Sequence, residues 1–250
     1  MLARILPLVL LAACGQPKGV PGQVMDVWGN PVPDAMIVIE GQSDRYTADM
    51  SGRFELPPMS GPQTLKIGAK GYIHDYVEWD PSTGKAVSAT LYKKPEKAGF
   101  YLVGAGDYYT MEPQLVERKG TELDAAQGIR KEPKVAVEAY NLEILFHTDL
   151  NYTEIKQIGL ELHRLEFKDK VQLAGPLGPS EVDLNLWVSA GEVPVQIKPM
   201  RSRQDYRIEI DKIEPGYYAF TTQDLLDPGE GPPLESIPPE VRISFPFQVR

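Results

Sequence analysis

Few residues of this 250-residue chain could do chemistry, and they lie far apart. His74, His147 and His163 are its imidazoles, and Cys14 is its single thiol. His163-Arg164-Leu165-Glu166 sets an imidazole and a carboxylate at a spacing that can hold zinc. Such a site needs a further His downstream, and none follows Glu166, so the motif reads as a chance charged pair on a solvated strand face. His74-Asp75 and His147-Thr148-Asp149 have no partner that sequence identifies, and exposed surface positions account for them. There is no G-x-S-x-G elbow for a nucleophilic serine. Asp49-Met50-Ser51-Gly52 has too few acids for a calcium loop, and Gly104-Ala105-Gly106 is a flexible turn without a third glycine. Neither catalytic residue nor metal nor cofactor is expected.

Aromatic side chains give the one positive hint of a ligand. Tyr72, Tyr76 and Trp79 cluster in one segment, and Tyr101, Tyr108 and Tyr109 in another. Rings on a sheet face can stack on sugars while nearby acids bond the hydroxyls, although packing with the polar tip at the surface is the commoner fate. Tyr72, Tyr76 and Trp79 are the candidate ligand contacts.

Cys14 ends a short apolar opening run. Arg4 supplies a positive start, Ile5 to Leu11 is almost wholly apolar, and Ala12 and Ala13 are the small residues a signal peptidase needs. The run is too short to cross a bilayer. Leu11-Ala12-Ala13-Cys14 resembles a bacterial lipobox. The resemblance implies that residues 1–13 are removed, that Cys14 is diacylated on sulfur and that its amine is acylated too. Two or more chains anchor stably where one does not. Gly15, in place of Asp, resembles the pattern sent on to the outer membrane. With its sole thiol lipidated, the chain forms no internal disulfide and its core is held by burial.

Charge limits the partners. Residues 15–97 carry 9 Lys+Arg against 10 Asp+Glu, and residues 98–250 carry 16 against 25. That acidity argues against nucleic acid, which needs a basic footprint, and against a polybasic grip on anionic lipid.

The elements that would position these groups read as strands. After the polar tether 14–19, Gln23 to Val27 is a short strand broken by the turn cluster Trp28-Gly29-Asn30-Pro31. Ala35 to Ile39 is a continuous apolar run that suits a strand buried on both faces. Asp49 to Gly52 makes a hairpin turn into Arg53-Phe54-Glu55-Leu56, and Leu65, Ile67 and Ala69 alternate with polar residues, as do Val87, Ala89 and Leu91.

Across residues 20–94, several features resemble the carboxypeptidase regulatory-like domain: Gly22-Gln23-Val24, Asp26, Gly29-Asn30-Pro31 through Val38, Asp49-Met50-Ser51-Gly52-Arg53-Phe54, and Lys70-Gly71-Tyr72. Ala48 stands where that family often has Thr. The resemblance implies a seven-stranded, transthyretin-like sandwich. It implies no peptidase activity, because that domain is the non-catalytic appendage of the enzymes that named it. In those enzymes the catalytic domain also comes first, which tells again against His163-Arg164-Leu165-Glu166 as a zinc motif.

Residues 95–99 form a charged, Pro- and Gly-containing linker. Beyond it, Glu117 to Lys134 is weakly patterned and reads as a long loop. Thr153 to Phe167 fits both helical and strand spacing, and strand is preferred because Gly159 weakens a helix. Alternation marks strands at Leu142 to Phe146, Leu184 to Val188, Tyr206 to Ile210 and Val241 to Val249, with Pro246 calling for an edge or a bulge. Glu214-Pro215-Gly216-Tyr217-Tyr218 resembles the tyrosine corner of immunoglobulin-like sandwiches, in which a Tyr hydroxyl ties turn to strand.

The expectation is an all-β chain of two β-sandwich domains in tandem, transthyretin/prealbumin-like at 20–94 and Ig-like at 100–250. It is anchored to the bilayer through acylated Cys14 in a bacterial envelope, at the outer membrane. The expected role is non-catalytic binding or scaffolding of another envelope protein. The alternative is a carbohydrate-binding module for envelope polysaccharide.

Overall fold

A computed structural model describes residues 19–120, 124–202, 204–226, 234–239 and 241–250. The signal segment, Cys14 and most of the tether lie outside the described residues. Among the described residues the chain is all-β apart from one α-helix and three single 3₁₀ turns. The described residues divide into two compact units, one comprising residues 19–70 with Asp75–Leu91, the other Gly71–His74 with the described part of Tyr92–Arg250.

The strands that begin the chain are β1 (Val20–Asp26), β2 (Met36–Ile39), β3 (Arg45–Thr47), β4 (Arg53–Leu56), β5 (Gln63–Gly68), β6 (Tyr72–Ile73), β7 (Asp75–Trp79) and β8 (Val87–Lys93). They form two four-stranded sheets, β4-β1-β8-β6 and β3-β2-β5-β7. β1 runs parallel to β8 and antiparallel to β4. Ile37, Ile39, Leu65 and Ile67 turn inward, each fully buried. The run at 35–39 is thus buried on one face only: Met36 is 44 % exposed, because successive strand residues point to opposite sides.

Carboxylates close the turns of this unit. Oδ1 of Asp26 accepts from the amides of Trp28 and Asn30 at 2.9 and 2.8 Å. Oδ1 of Asp49 accepts from the amides of Ser51 and Arg53 and from the Ser51 hydroxyl, at 2.7–2.9 Å. Gly52, at φ +70°, follows so close to β1 that an added Cβ would lie 2.3 Å from the Val24 carbonyl oxygen. Only glycine takes that place without strain.

The second unit contains β9 (Gly99–Val103), β10 (Tyr108–Thr110), β11 (Gln114–Gly120), β12 (Ala125–Ile129), β13 (Ala136–Val137), β14 (Ile144–His147), α1 (Tyr152–Ile158), β15 (Leu160–Leu173), β16 (Ser180–Val193), β17 (Gln196–Pro199), β18 (Asp205–Glu209), β19 (Gly216–Thr222) and β20 (Ile243–Val249). One sheet has the order β10-β9-β14-β18-β17 and the other β11-β12-β16-β15-β19-β20-β13. The larger sheet also pairs β11 with β20, so six of its strands form a closed ring.

The main core lies between these sheets. Phe100, Leu102, Ile144, Phe146, Tyr206 and Ile208 come from the smaller sheet and meet Leu162, Tyr218, Phe220, Phe247 and Val249 from the larger. Phe100 stacks on Phe146 at 4.2 Å and on Phe220 at 4.6 Å. The tyrosine-corner contact is present: the Tyr218 hydroxyl donates to the Glu214 carbonyl at 2.7 Å.

Three further expectations need correction. Glu117 to Lys134 is not a long loop: it holds the end of β11 and all of β12, paired antiparallel. β12 lacks a legible alternation because it carries Gln127 inside and Gly128 where the Trp187 carbonyl approaches closely. Thr153 to Phe167 is not all strand. Asn151 caps α1 in a capping box with Glu154, and Gly159 ends the helix at φ +58° before β15 begins. The glycine that weakens a helix here terminates one. Finally, Pro246 does not mark an edge strand. Gln248 and Arg250 donate their amides to Val135 and Val137, so even-numbered positions of β20 face away from β19. Pro246 falls on that side between the partners of Ser244 and Gln248, where no donor is needed.

Candidate functional site

Tyr72, Tyr76 and Trp79 do not form one surface. Trp79 points inward from β7, is 9 % exposed, and donates its indole N–H to the Lys85 carbonyl at 2.8 Å. Its ring walls a shallow cavity of about 320 Å³ with Val20, Pro21, Pro58 and Met59. Tyr76 lies opposite Lys66 in the β5–β7 register, on the other face, with the Lys66 ammonium 5.9 Å from its ring centre. Tyr72 is in β6 and belongs to the second unit.

The other aromatic group, Tyr101 and Tyr108, packs with Ile73, Leu145 and Tyr92 in a small core of the second unit. The hydroxyls of Tyr101 and Tyr108 donate to the carbonyls of Lys97 and Lys93. Burial pushes the Tyr108 phenol far up, and burial with the Glu143 carboxylate does the same to Tyr92, so both stay neutral donors.

His163 is 3 % exposed, so it does not lie on a solvated strand face. Its Nε2 meets Glu161 at 3.0 Å and its Nδ1 meets the Ser189 hydroxyl at 2.9 Å. A register shift in β15 between His163 and Leu165 accompanies this contact with β16. Glu166 instead pairs with Lys168 at 2.7 Å, so the H-x-x-E motif does not converge. Among the described residues, no three His, Cys, Asp or Glu side chains gather into a metal site.

His147 is likewise buried, at 8 % exposure, and not a surface residue. Its Nδ1 lies 2.7 Å from Oδ1 of Asp205, which is wholly buried and whose other oxygen accepts the Ser202 hydroxyl. Sequence reasoning missed Asp205, which sits 58 positions from His147 and gives no local signal.

In the neutral form of each ring, the adjacent carboxylate sets the tautomer. Asp205 holds the proton of His147 on Nδ1 and leaves Nε2 a lone pair. Glu161 holds the proton of His163 on Nε2, so Nδ1 accepts from Ser189. Carboxylate, imidazole and hydroxyl thus stand in relay order. Acyl transfer also needs N–H donors around a developing oxyanion, whereas the Gly191 amide here donates to the Ser189 oxygen itself at 3.2 Å.

A third group, unread in the sequence, lies on the larger sheet. Phe167 faces Trp187 across the β15–β16 pairing, and Tyr217 lies across β15 from it, opposite Leu165. The Trp187 ring is 5.5 Å from Phe167 and 4.4 Å from Tyr217, tilted 56° and 50°. Phe167 is 49 % exposed, whereas Leu165 of the same face is 4 % exposed. The Tyr217 hydroxyl donates to Oε1 of Glu132 at 2.7 Å, and that bond raises the affinity of the phenol for its proton. The three rings come from three strands, which is why no sequence cluster announces them.

The chain matches no protein-family model and no curated protein. No helix among the described residues is long and apolar enough to cross a membrane.

Proposed function

We propose that this is a lipid-anchored protein of a bacterial envelope, held through acylated Cys14, that binds or braces another envelope protein and catalyses nothing. The observation that carries this reading is Leu11-Ala12-Ala13-Cys14 closing a short apolar run, with no other thiol in the chain. Gly15 in the next position supports the outer membrane as its destination. The first unit supports a regulatory-like domain, since Asp26, Asp49 and Gly52 of the quoted motifs each make a turn. Tyr218 at its corner supports an Ig-like second sandwich. Ser189, tied to Gly191 and His163, supports a structural use of the one relay.

Mass spectrometry of membrane-extracted protein tests the anchor: an acylated N-terminal Cys14 is expected, and Cys14→Ala releases the chain from membranes. An intact, unmodified start overturns it. Cross-linking in intact cells tests the role, with one stoichiometric envelope protein expected. Turnover of any substrate at an enzyme-like rate overturns the non-catalytic assignment.

A further inference from the structure

We infer that the Phe167–Trp187–Tyr217 face, flanked by Glu132, is a binding subsite for a neutral saccharide. Two tryptophans of this chain show what distinguishes it. Trp79 is buried and spends its indole N–H on the Lys85 carbonyl. Trp187 is only partly buried: with Tyr217 it packs against the cluster of Ile129, Leu165 and Ala219, and its ring contacts are with Phe167 and Tyr217. A buried indole N–H ordinarily finds a partner in the protein; that of Trp187 is not among the buried unpartnered atoms of the described residues, and is open to whatever comes to the surface.

The surroundings suit a polyhydroxylated ring. Trp187 is tilted by 50° or more from both neighbours, so the rings do not consume one another's faces by flat stacking. Phe167, exposed beside it, extends the apolar platform on which the C–H face of a pyranose can lie. Glu132 is exposed and held in place by Tyr217, with one oxygen taken and the other open to accept sugar hydroxyls. Donor, acceptor and apolar plane are thus adjacent, which is the usual make-up of a small-ligand site.

Charge selects among saccharides. Residues 98–250 carry 16 cationic against 25 acidic side chains, and the Glu132 carboxylate is bonded to Tyr217 of the face. Acidic glycans are repelled and neutral ones are not. The site does not depend on the lipid anchor, and it differs from the Tyr72, Tyr76 and Trp79 group.

The test uses the full chain with maltohexaose and chitohexaose as neutral probes and dextran sulfate as the acidic control, followed by calorimetry. Saturable binding of at least one neutral probe is expected, with none for dextran sulfate. Phe167→Ala and Glu132→Gln each weaken it by about three- to tenfold, while Tyr76→Ala leaves it unchanged. Both substituted groups are exposed, so the fold is kept, as circular dichroism will verify. The inference is overturned if neither neutral probe saturates, or if binding survives both variants. Loss of binding in Tyr76→Ala also overturns it, because the site would then lie in the first unit. So does a co-purifying protein released by Phe167→Ala with no response to either sugar, which would make the face a protein interface.

Discussion

In the first unit, Asp26 and Asp49 gather amides two to four positions further along the chain. In the second, Asp205 reaches His147 across 58 positions, Ser189 reaches His163 across 26, and Glu132 reaches Tyr217 across 85. Both units pair carboxylates with buried or half-buried donors, but over different sequence ranges, and the second leaves Gln127 Oε1, Thr221 Oγ1 and Arg242 Nε buried without a partner among the described residues. A carboxylate that closes a turn costs little ordering, because its partners are already nearby. One that bridges strands is matched only after the sheets have formed. The first kind should fail locally when removed, and the second should weaken the whole unit.

Four measurements can break or sharpen that contrast. Asp205→Ala has the largest expected effect, because it strands the His147 Nδ1–H and the Ser202 hydroxyl in a buried site. Urea unfolding should show a loss of about 3–6 kcal/mol, from two hydrogen bonds to a carboxylate at about 1.5–3 kcal/mol each. Gly52→Ala follows, at about 2 kcal/mol, from the left-handed backbone alone, with more from the clash against the Val24 carbonyl. A change under half of that would mean β1 and the hairpin can separate cheaply. Asp26→Ala should cost about 1–2 kcal/mol, since the Trp28 and Asn30 amides can turn to water. If it equals Asp205→Ala, the contrast between local and distant pairing fails.

The smallest effect is on acid stability. The Ser51 hydroxyl, with the Ser51 and Arg53 amides, holds the Asp49 carboxyl below its ordinary value of 3.8, and Ser82 does the same for Asp80. Lowered in the folded state, both groups contribute stability above that value and lose it as pH falls through their folded values. The Asp49→Asn, Asp80→Asn double variant should therefore lose less stability than the parent on acidification from about pH 5 to pH 2. Equal loss would place the acid sensitivity in the second unit.

The same difference in range explains what could be read in advance. Asp49-Met50-Ser51-Gly52 announces a turn because the capping carboxylate, the amides it serves and the permissive glycine are contiguous. Strands such as β16 and β20 were legible wherever one side met the core, since alternation is local too. β12 was not, because a buried Gln127 and a glycine under the Trp187 carbonyl erase its pattern. The helix before β15 was blurred for another reason: seven residues of helix and the start of a strand fall within one stretch that satisfies both periods. Of the candidate contacts, Trp79 and Tyr76 stand close in sequence but occupy opposite faces, as strand residues of unlike parity must. Phe167, Trp187 and Tyr217 carry no such signal, being joined only by register across β15, β16 and β19.

The ring of pairings that returns from β11 to β20 has a further consequence. Open sheets end in rows of unsatisfied amides and carbonyls, which neighbouring chains can copy into fibrils. Six strands here close on one another, so none of them is a free edge along its whole length, although the pairings of β11 with β20 and of β12 with β16 span two residues each. Closure thus lowers the template this sheet offers to a neighbouring molecule, and leaves the open sheets, with edges such as β3, β7, β10 and β17, as the places where recruitment would start.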